Sequence, residues 1–395
     1  MSEPTATDAT WEAALRRWLV PRVFFLGMVL SFAACCVTGR QIVKLLTFRD
    51  YQFLTEFINP LSQYRPTALQ LRTLARRQLP REKIAVIVGG NSVLQQSGGP
   101  RTHPWIRHLE RELGDDYRIL NVAAPGAAAN QFGELAAEML YRDHPRLIHV
   151  CNCWCTGFSG APDGASQYRY SFLDAQARGL LLESAERDAA LAALEPARRA
   201  RENGLELQLQ AWANRLLSFN DLWHVVGYEA LFTIWTEKCA LAPFRARKNW
   251  TVAGSIQGKL MNDWQPQRPM LLSHAKPWTP VDEEMLGIQV RQAIPEPLRP
   301  NTLVAVNRSC PAYVRRLENE EPGFRARYDQ RLHDMVTRLR NQGVAALEVG
   351  GSMDTDDFRD GVHLTASGGE KLAKELAPAI RALARRLGYV AGEEP

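Results

Sequence analysis

Five short apolar runs recur along the chain with helix-length segments between them. They are KIAVIV at 83–88, RILNV at 118–122, RLIHVC at 146–151, TLVAVN at 302–307 and the run at 344–349. Apolar runs of this length fit strands buried on both faces, which is the signature of a parallel sheet. Strands alternating with helices cover such a sheet with helical layers. The helices expected are 104–113, QFGELAAEMLYRD after a capping Asn130, 324–340, and 367–387 with Leu372, Leu376, Ile380 and Leu383 along one face. The expected class is α/β, a three-layer α/β/α arrangement around a five-stranded parallel sheet.

The third and fourth runs are separated by far more chain than an ordinary loop holds. Residues 157–300 therefore read as an insertion over one end of the sheet. Its first half, 173–241, is rich in Ala, Leu, Glu, Arg and Gln and should be helical, interrupted at Pro196 and Gly204. Its second half, 245–300, is rich in Pro, Trp and Gln and reads as irregular. The α/β domain then comprises 81–156 and 301–390.

The N-terminal region has a different character. Residues 23–39, VFFLGMVLSFAACCVTG, carry no charge and are bracketed by Arg22 and Arg40. As a helix they span about 25 Å, against a hydrocarbon core of about 30 Å. Leu19, Val20, Ile42 and Val43 extend the stretch while the arginines snorkel. The reading is a polar, loose tail at 1–18, a single transmembrane anchor at 19–43 and a juxtamembrane segment at 44–80. A lipoprotein signal ending at Cys35 and a buried soluble helix are the alternatives. Arg16, Arg17 and Arg22 on one side nearly balance Arg40, Lys44 and Arg49 on the other, so the positive-inside rule discriminates poorly. A short tail before a lone anchor favours an internal N-terminus and a periplasmic or extracellular catalytic domain.

Composition removes several classes. The 395 residues carry a formal net charge of +5 spread along the chain, without the basic runs that mark nucleic-acid binding. Seven cysteines are too few for a disulfide scaffold, and none forms a CxxC pair or joins histidines at zinc-finger spacing. Cys151, Cys153 and Cys155 read as small residues at a strand end, not as a metal site.

Two motifs carry chemistry. The first run ends in Gly89-Gly90-Asn91-Ser92, which puts a serine at the C-terminal edge of a parallel sheet, where open α/β sheets place ligands. A helix N-terminus beside it favours developing negative charge. The alternative is an N-cap serine in a glycine turn. The second motif is Asp360-Gly361-Val362-His363, just before the last helix. An Asp three residues ahead of a His on a loop can orient the imidazole, which can then accept a serine proton. Asp354, Asp356 and Asp357 crowd the same loop, but the spacing favours Asp360.

Together these blocks resemble the SGNH (GDSL-type) hydrolase superfamily. Gly90-Asn91-Ser92 stands for its Gly-Asp-Ser block, Asn121 to Gly126 for its second block and Asp360 to His363 for its last. The third block departs: Cys151-Asn152-Cys153-Trp154 stands where the family has Gly-x-Asn-Asp. The resemblance covers 83–152 and 302–387 and implies an SGNH/flavodoxin-like fold. It implies Ser92 as nucleophile, His363 as general base and acid, and Asp360 as the residue that fixes the imidazole tautomer. The backbone N–H groups of Ser92 and Gly126, with the Asn152 side chain, would hold the oxyanion; Asn152 reads equally as a structural residue at a strand end. No cofactor or metal is required. Trp250, Trp264 and Trp278 of the insertion are candidates for a substrate wall.

The function expected is a membrane-anchored serine esterase or O-acyltransferase working through an acyl-serine on an envelope glycan or lipid, beside a membrane-bound acyltransferase partner. The alternative is a catalytically inactive subunit of the same fold that binds glycan or scaffolds a membrane complex.

Overall fold

A computed structural model describes residues 6–45, 68–95, 105–123, 132–158, 178–186 and 264–390, with isolated positions between 175 and 212. The first half of the insertion, expected to be helical, lies largely outside the described residues.

All five strands form, in one parallel sheet. β1 (Ile84–Val88), β2 (Tyr117–Asn121), β3 (Leu147–Cys153), β4 (Thr302–Asn307) and β5 (Ala345–Val349) lie in the order β2-β1-β3-β4-β5. β1, β3 and β4 are buried along their whole length, as unalternating runs of β-branched residues require. The register pairs Val88 with Asn121 and Val150, and Asn152 with Ala305. This order leaves its switch point between β1 and β3, the crevice where such sheets place a ligand.

The helices arise from the same pattern. α1 (Ala6–Leu45) precedes the sheet domain and is followed by α2 (Ala68–Gln78). The short α3 (Ser92–Gln95), α4 (Trp105–Leu113) and α5 (Phe132–Tyr141) follow β1 and β2. α6 (Trp264–Ser273) and α7 (Pro280–Ala293) precede β4; α8 (Pro311–Glu320), α9 (Phe324–Asn341) and α10 (Ala366–Arg386) complete the domain. α10 starts at an N-cap, Thr365, and buries Leu372, Leu376, Ile380 and Leu383 against α4 and against β3, β4 and β5. α5 packs on β1 and β3, and it approaches β1 closely. A Cβ on Gly133 would lie 2.2 Å from the Gly89 Cα, so two glycines let the helix ride over the strand end.

Two expectations are corrected. The segment at 264–293, read as irregular, forms two helices. Pro280 occupies the first turn of α7, where no hydrogen bond is lost, behind a Thr279/Asp282 capping box, whereas Pro269 stands inside α6 and removes one of its backbone donors. The tail, read as loose over 1–18, is helical from Ala6. No Gly or Pro stands between Ala6 and Val20, and extending an existing helix costs little once it is nucleated.

Within α1, the 23 residues Arg16–Thr38 are long and apolar enough to cross a membrane, and none of that stretch is buried in the domain, as a core helix would be.

Candidate active site

The turn after β1 is built around one close contact. Gly90 adopts φ +91°, and a Cβ there would fall 2.1 Å from the Asn152 Oδ1. Only glycine fits both the backbone angle and the space. The gap it leaves lets Asn91 and Asn152 meet. The Asn91 backbone N–H donates to the Asn152 Oδ1 at 2.9 Å, and the Asn152 Nδ2 donates back to the Asn91 Oδ1 at 2.9 Å. The same Asn91 oxygen accepts the Val93 N–H at 3.0 Å. Both side chains are buried, so these bonds satisfy polar groups that water does not reach. The clasp ties the turn on β1 to the end of β3 and delivers Ser92 to the first position of α3.

The second half of the site comes from the loop between β5 and α10. The Asp360 Oδ1 accepts the backbone N–H groups of Val362 and His363, each at 2.8 Å, which folds the turn on itself. Its Oδ2 lies 2.7 Å from the His363 Nδ1, and the His363 Nε2 lies 2.8 Å from the Ser92 Oγ. Burial pushes the Asp360 carboxyl up, but the hydrogen bond and charge of His363 and the two backbone donors outweigh it and hold the group below its ordinary value. Asp360 is therefore an acceptor at neutral pH. It favours the tautomer with hydrogen on Nδ1, which leaves an Nε2 lone pair toward the serine hydroxyl. The histidine and aspartate side chains are each 27% exposed, so the site opens to solvent.

The loop is pinned from several sides. The Arg359 N–H donates to the His363 carbonyl at 2.7 Å, and the Cys310 N–H donates to the Gly361 carbonyl at 2.9 Å. Gly361 lies under the Tyr313 ring, where a Cβ would come within 2.3 Å of a ring carbon. Two neighbouring acids are engaged elsewhere: Asp357 is buried, bound by the Lys371 Nζ at 2.6 Å and the Asp354 N–H at 2.8 Å, and Asp354 meets the same Nζ at 3.2 Å.

The structure thus brings Ser92, His363, Asp360 and Asn152 to one edge of the sheet. Gly126 and Trp250 lie outside the described residues, as does the side chain of Trp264. Trp278 is partly buried against the core, with the Arg331 guanidinium 3.8 Å and that of Arg338 4.9 Å from its ring centre. Cys151, Cys153 and Cys155 are fully buried, and burial raises all three thiols. Among the described residues, no three His, Cys, Asp or Glu side chains gather to hold a metal ion. The contributions of Asn91 and Tyr313 depend on strand adjacency and loop packing and carry no signal in the sequence. No family model matches the chain, and no curated protein matches it in sequence.

Proposed function

We propose that this chain is a membrane-anchored serine esterase or O-acyltransferase of SGNH type, with a three-layer α/β/α domain and an acyl-serine intermediate. The observation that carries the reading is the unbroken relay from Asp360 through His363 to the Ser92 Oγ, with contacts of 2.7 and 2.8 Å across 271 residues of sequence. Ser92 attacks the acyl carbonyl while the His363 Nε2 takes the hydroxyl proton. The same imidazole returns that proton to the leaving alkoxide. Water or a second hydroxyl then repeats the sequence in reverse, giving hydrolysis or transfer. The Asn152 Nδ2 carries two hydrogens and gives one to Asn91, so the other is free to meet the oxyanion. The acyl ester acted on belongs to an envelope glycan or lipid, and the apolar stretch of α1 supplies the anchor.

The test is labelling of the full chain by a fluorophosphonate, compared with Ser92→Ala and His363→Ala. Labelling lost in both variants supports the reading. A folded wild-type protein that takes no label would overturn it in favour of a non-catalytic subunit.

A further inference from the structure

A parallel sheet has two unlike edges. The triad occupies the C-terminal edge. The opposite edge gathers the chain just before each strand and the ends of the helices that return to it, and this edge is strongly basic.

α2 ends in Arg76 and Arg77, and the chain enters β1 through Arg81; all three are exposed. Arg142 follows α5 on the same edge and is exposed too. α10 runs back from the triad loop to end in Arg385 and Arg386, with the Arg386 Nη2 3.2 Å from the Pro300 carbonyl at the approach to β4. These charges share one neighbourhood. Tyr117, the first residue of β2, lies in the field of Arg381, Asp116, Arg385 and Arg146, and His144 in that of Asp143 and Arg81. Of the acids here, Asp143 pairs with Arg72 at 2.7 Å and Asp116 lies 4.0 Å from Lys83, and the exposed Glu82 and Asp115 are outnumbered by the arginines. The loop at the catalytic edge carries instead Asp354, Asp356, Asp357 and Asp360, the first and third paired with Lys371.

The basic edge also lies at the end of the helix that meets α1. α2 packs against α1, the helix with the apolar stretch, and leads directly into β1. A basic surface beside a membrane anchor meets anionic headgroups, each Arg near such a surface contributing about 1 kcal/mol of attraction. We propose that the N-terminal edge of the sheet, with Arg76, Arg81, Arg142 and Arg385 at its centre, is a docking surface for anionic phospholipid headgroups. Docked in this way, the sheet stands with its triad edge away from the bilayer.

The consequence for substrate rests on the serine reading above. Strands of five to seven residues, at about 3.3 Å each, put the triad about 17–23 Å beyond the docked edge. A phospholipid ester in the supporting leaflet does not reach that height. An ester carried on a polymer or a soluble molecule does. Of the two substrate classes, the docked geometry selects the glycan.

The experiment places the full chain in nanodiscs of phosphatidylcholine alone, or with one third phosphatidylglycerol, and follows backbone hydrogen exchange at 78–83 and 141–146. Docking slows exchange several-fold in the anionic discs only. The protection disappears at about 1 M salt, where the screening length is about 3 Å. It also disappears in the combined variant Arg76→Glu, Arg81→Glu, Arg142→Glu, Arg385→Glu, whose exchange in the neutral discs shows whether it is folded. Equal exchange in both discs, or protection indifferent to salt, overturns the proposal. In the same anionic discs, a water-soluble fluorophosphonate labels Ser92 and one held at the surface by a lipid tail does not. Labelling by the lipid-held probe overturns the orientation. Labelling by neither counts against the serine reading alone and leaves the exchange result standing.

Discussion

Asn91 and Asn152 face each other across the β1–β3 crevice and hold each other through two hydrogen bonds of 2.9 Å, one in each direction. A residue in the turn that carries the serine is thereby fixed to the residue expected to meet the oxyanion. Aspartate at position 91 would offer the same acceptor oxygen. The Asn91 side chain enters these contacts through its oxygen, accepting from Asn152 and from Val93.

Asn91→Asp keeps that oxygen and Asn91→Ala removes it. The alanine variant leaves two buried donors without an acceptor, at about 1–3 kcal/mol for each. Its urea midpoint should fall and its fluorophosphonate labelling should slow with it. The aspartate variant should stay near wild type in labelling rate. An alanine variant as stable as wild type would show that the clasp is not what holds the turn.

Gly90→Ala attacks the same clasp from the backbone. A side chain at φ +91° costs about 1–3 kcal/mol, and the Cβ would displace the Asn152 amide it meets at 2.1 Å. Gly351, in the loop after β5, has nothing within 4 Å of its Cβ position. Thermal melts should show a clear loss for Gly90→Ala and none for Gly351→Ala.

Which acid completes the relay is decided by comparing two amides. Asp360→Asn loses the partner of the His363 Nδ1, and in triads of this kind the change costs about 10,000-fold in turnover with the fold intact. Asp357→Asn loses only its pairing with Lys371 and should lower stability while labelling of Ser92 continues. Loss of labelling in Asp357→Asn with labelling retained in Asp360→Asn would assign the role the other way.

Much of this is legible in the sequence. β4 spans the residues read from TLVAVN, and Asp360 follows from its spacing to His363 even among four nearby acids. What escaped was contact between segments remote in sequence. Asn152 is read from sequence as an oxyanion donor or, equally, a structural polar residue at a strand end, with no partner visible. Its partner becomes visible only once β1 lies beside β3 and Gly90 takes a positive φ. The helices at 264–293 escape the sequence for another reason. Proline content signals irregular chain unless the proline stands at a helix start, and Thr279-Pro280-Val281-Asp282 carries that signal in its capping residues.

Two buried histidines should make the domain sensitive to mild acid. Burial lowers His149 from 6.5 to about 3, and burial with the nearby charge of Arg331 lowers His274 to about 4. Between those values and 6.5 the unfolded chain binds protons that the folded one does not. Stability therefore falls as pH drops below 6.5, by about 1.4 kcal/mol per pH unit for each histidine in its window. Urea midpoints at pH 7 and pH 5 should differ in the wild type, and the gap should narrow in His149→Gln and in His274→Gln.

Trp278 separates packing from substrate binding within the insertion. The Arg331 guanidinium lies 3.8 Å from the centre of its ring. Arg331 also donates to the carbonyls of Cys155 and Lys276, both at 3.0 Å, and faces Asp282 at 3.6 Å. One buried arginine thus joins α9, the end of β3 and the start of α7, with Trp278 as its lid. Trp278→Leu removes the cation–π contact, worth about 0.5–2 kcal/mol, together with part of the ring's packing. The urea midpoint should drop, while the labelling rate and the KM for p-nitrophenyl acetate stay unchanged. A raised KM with stability unaltered would return this tryptophan to the substrate wall.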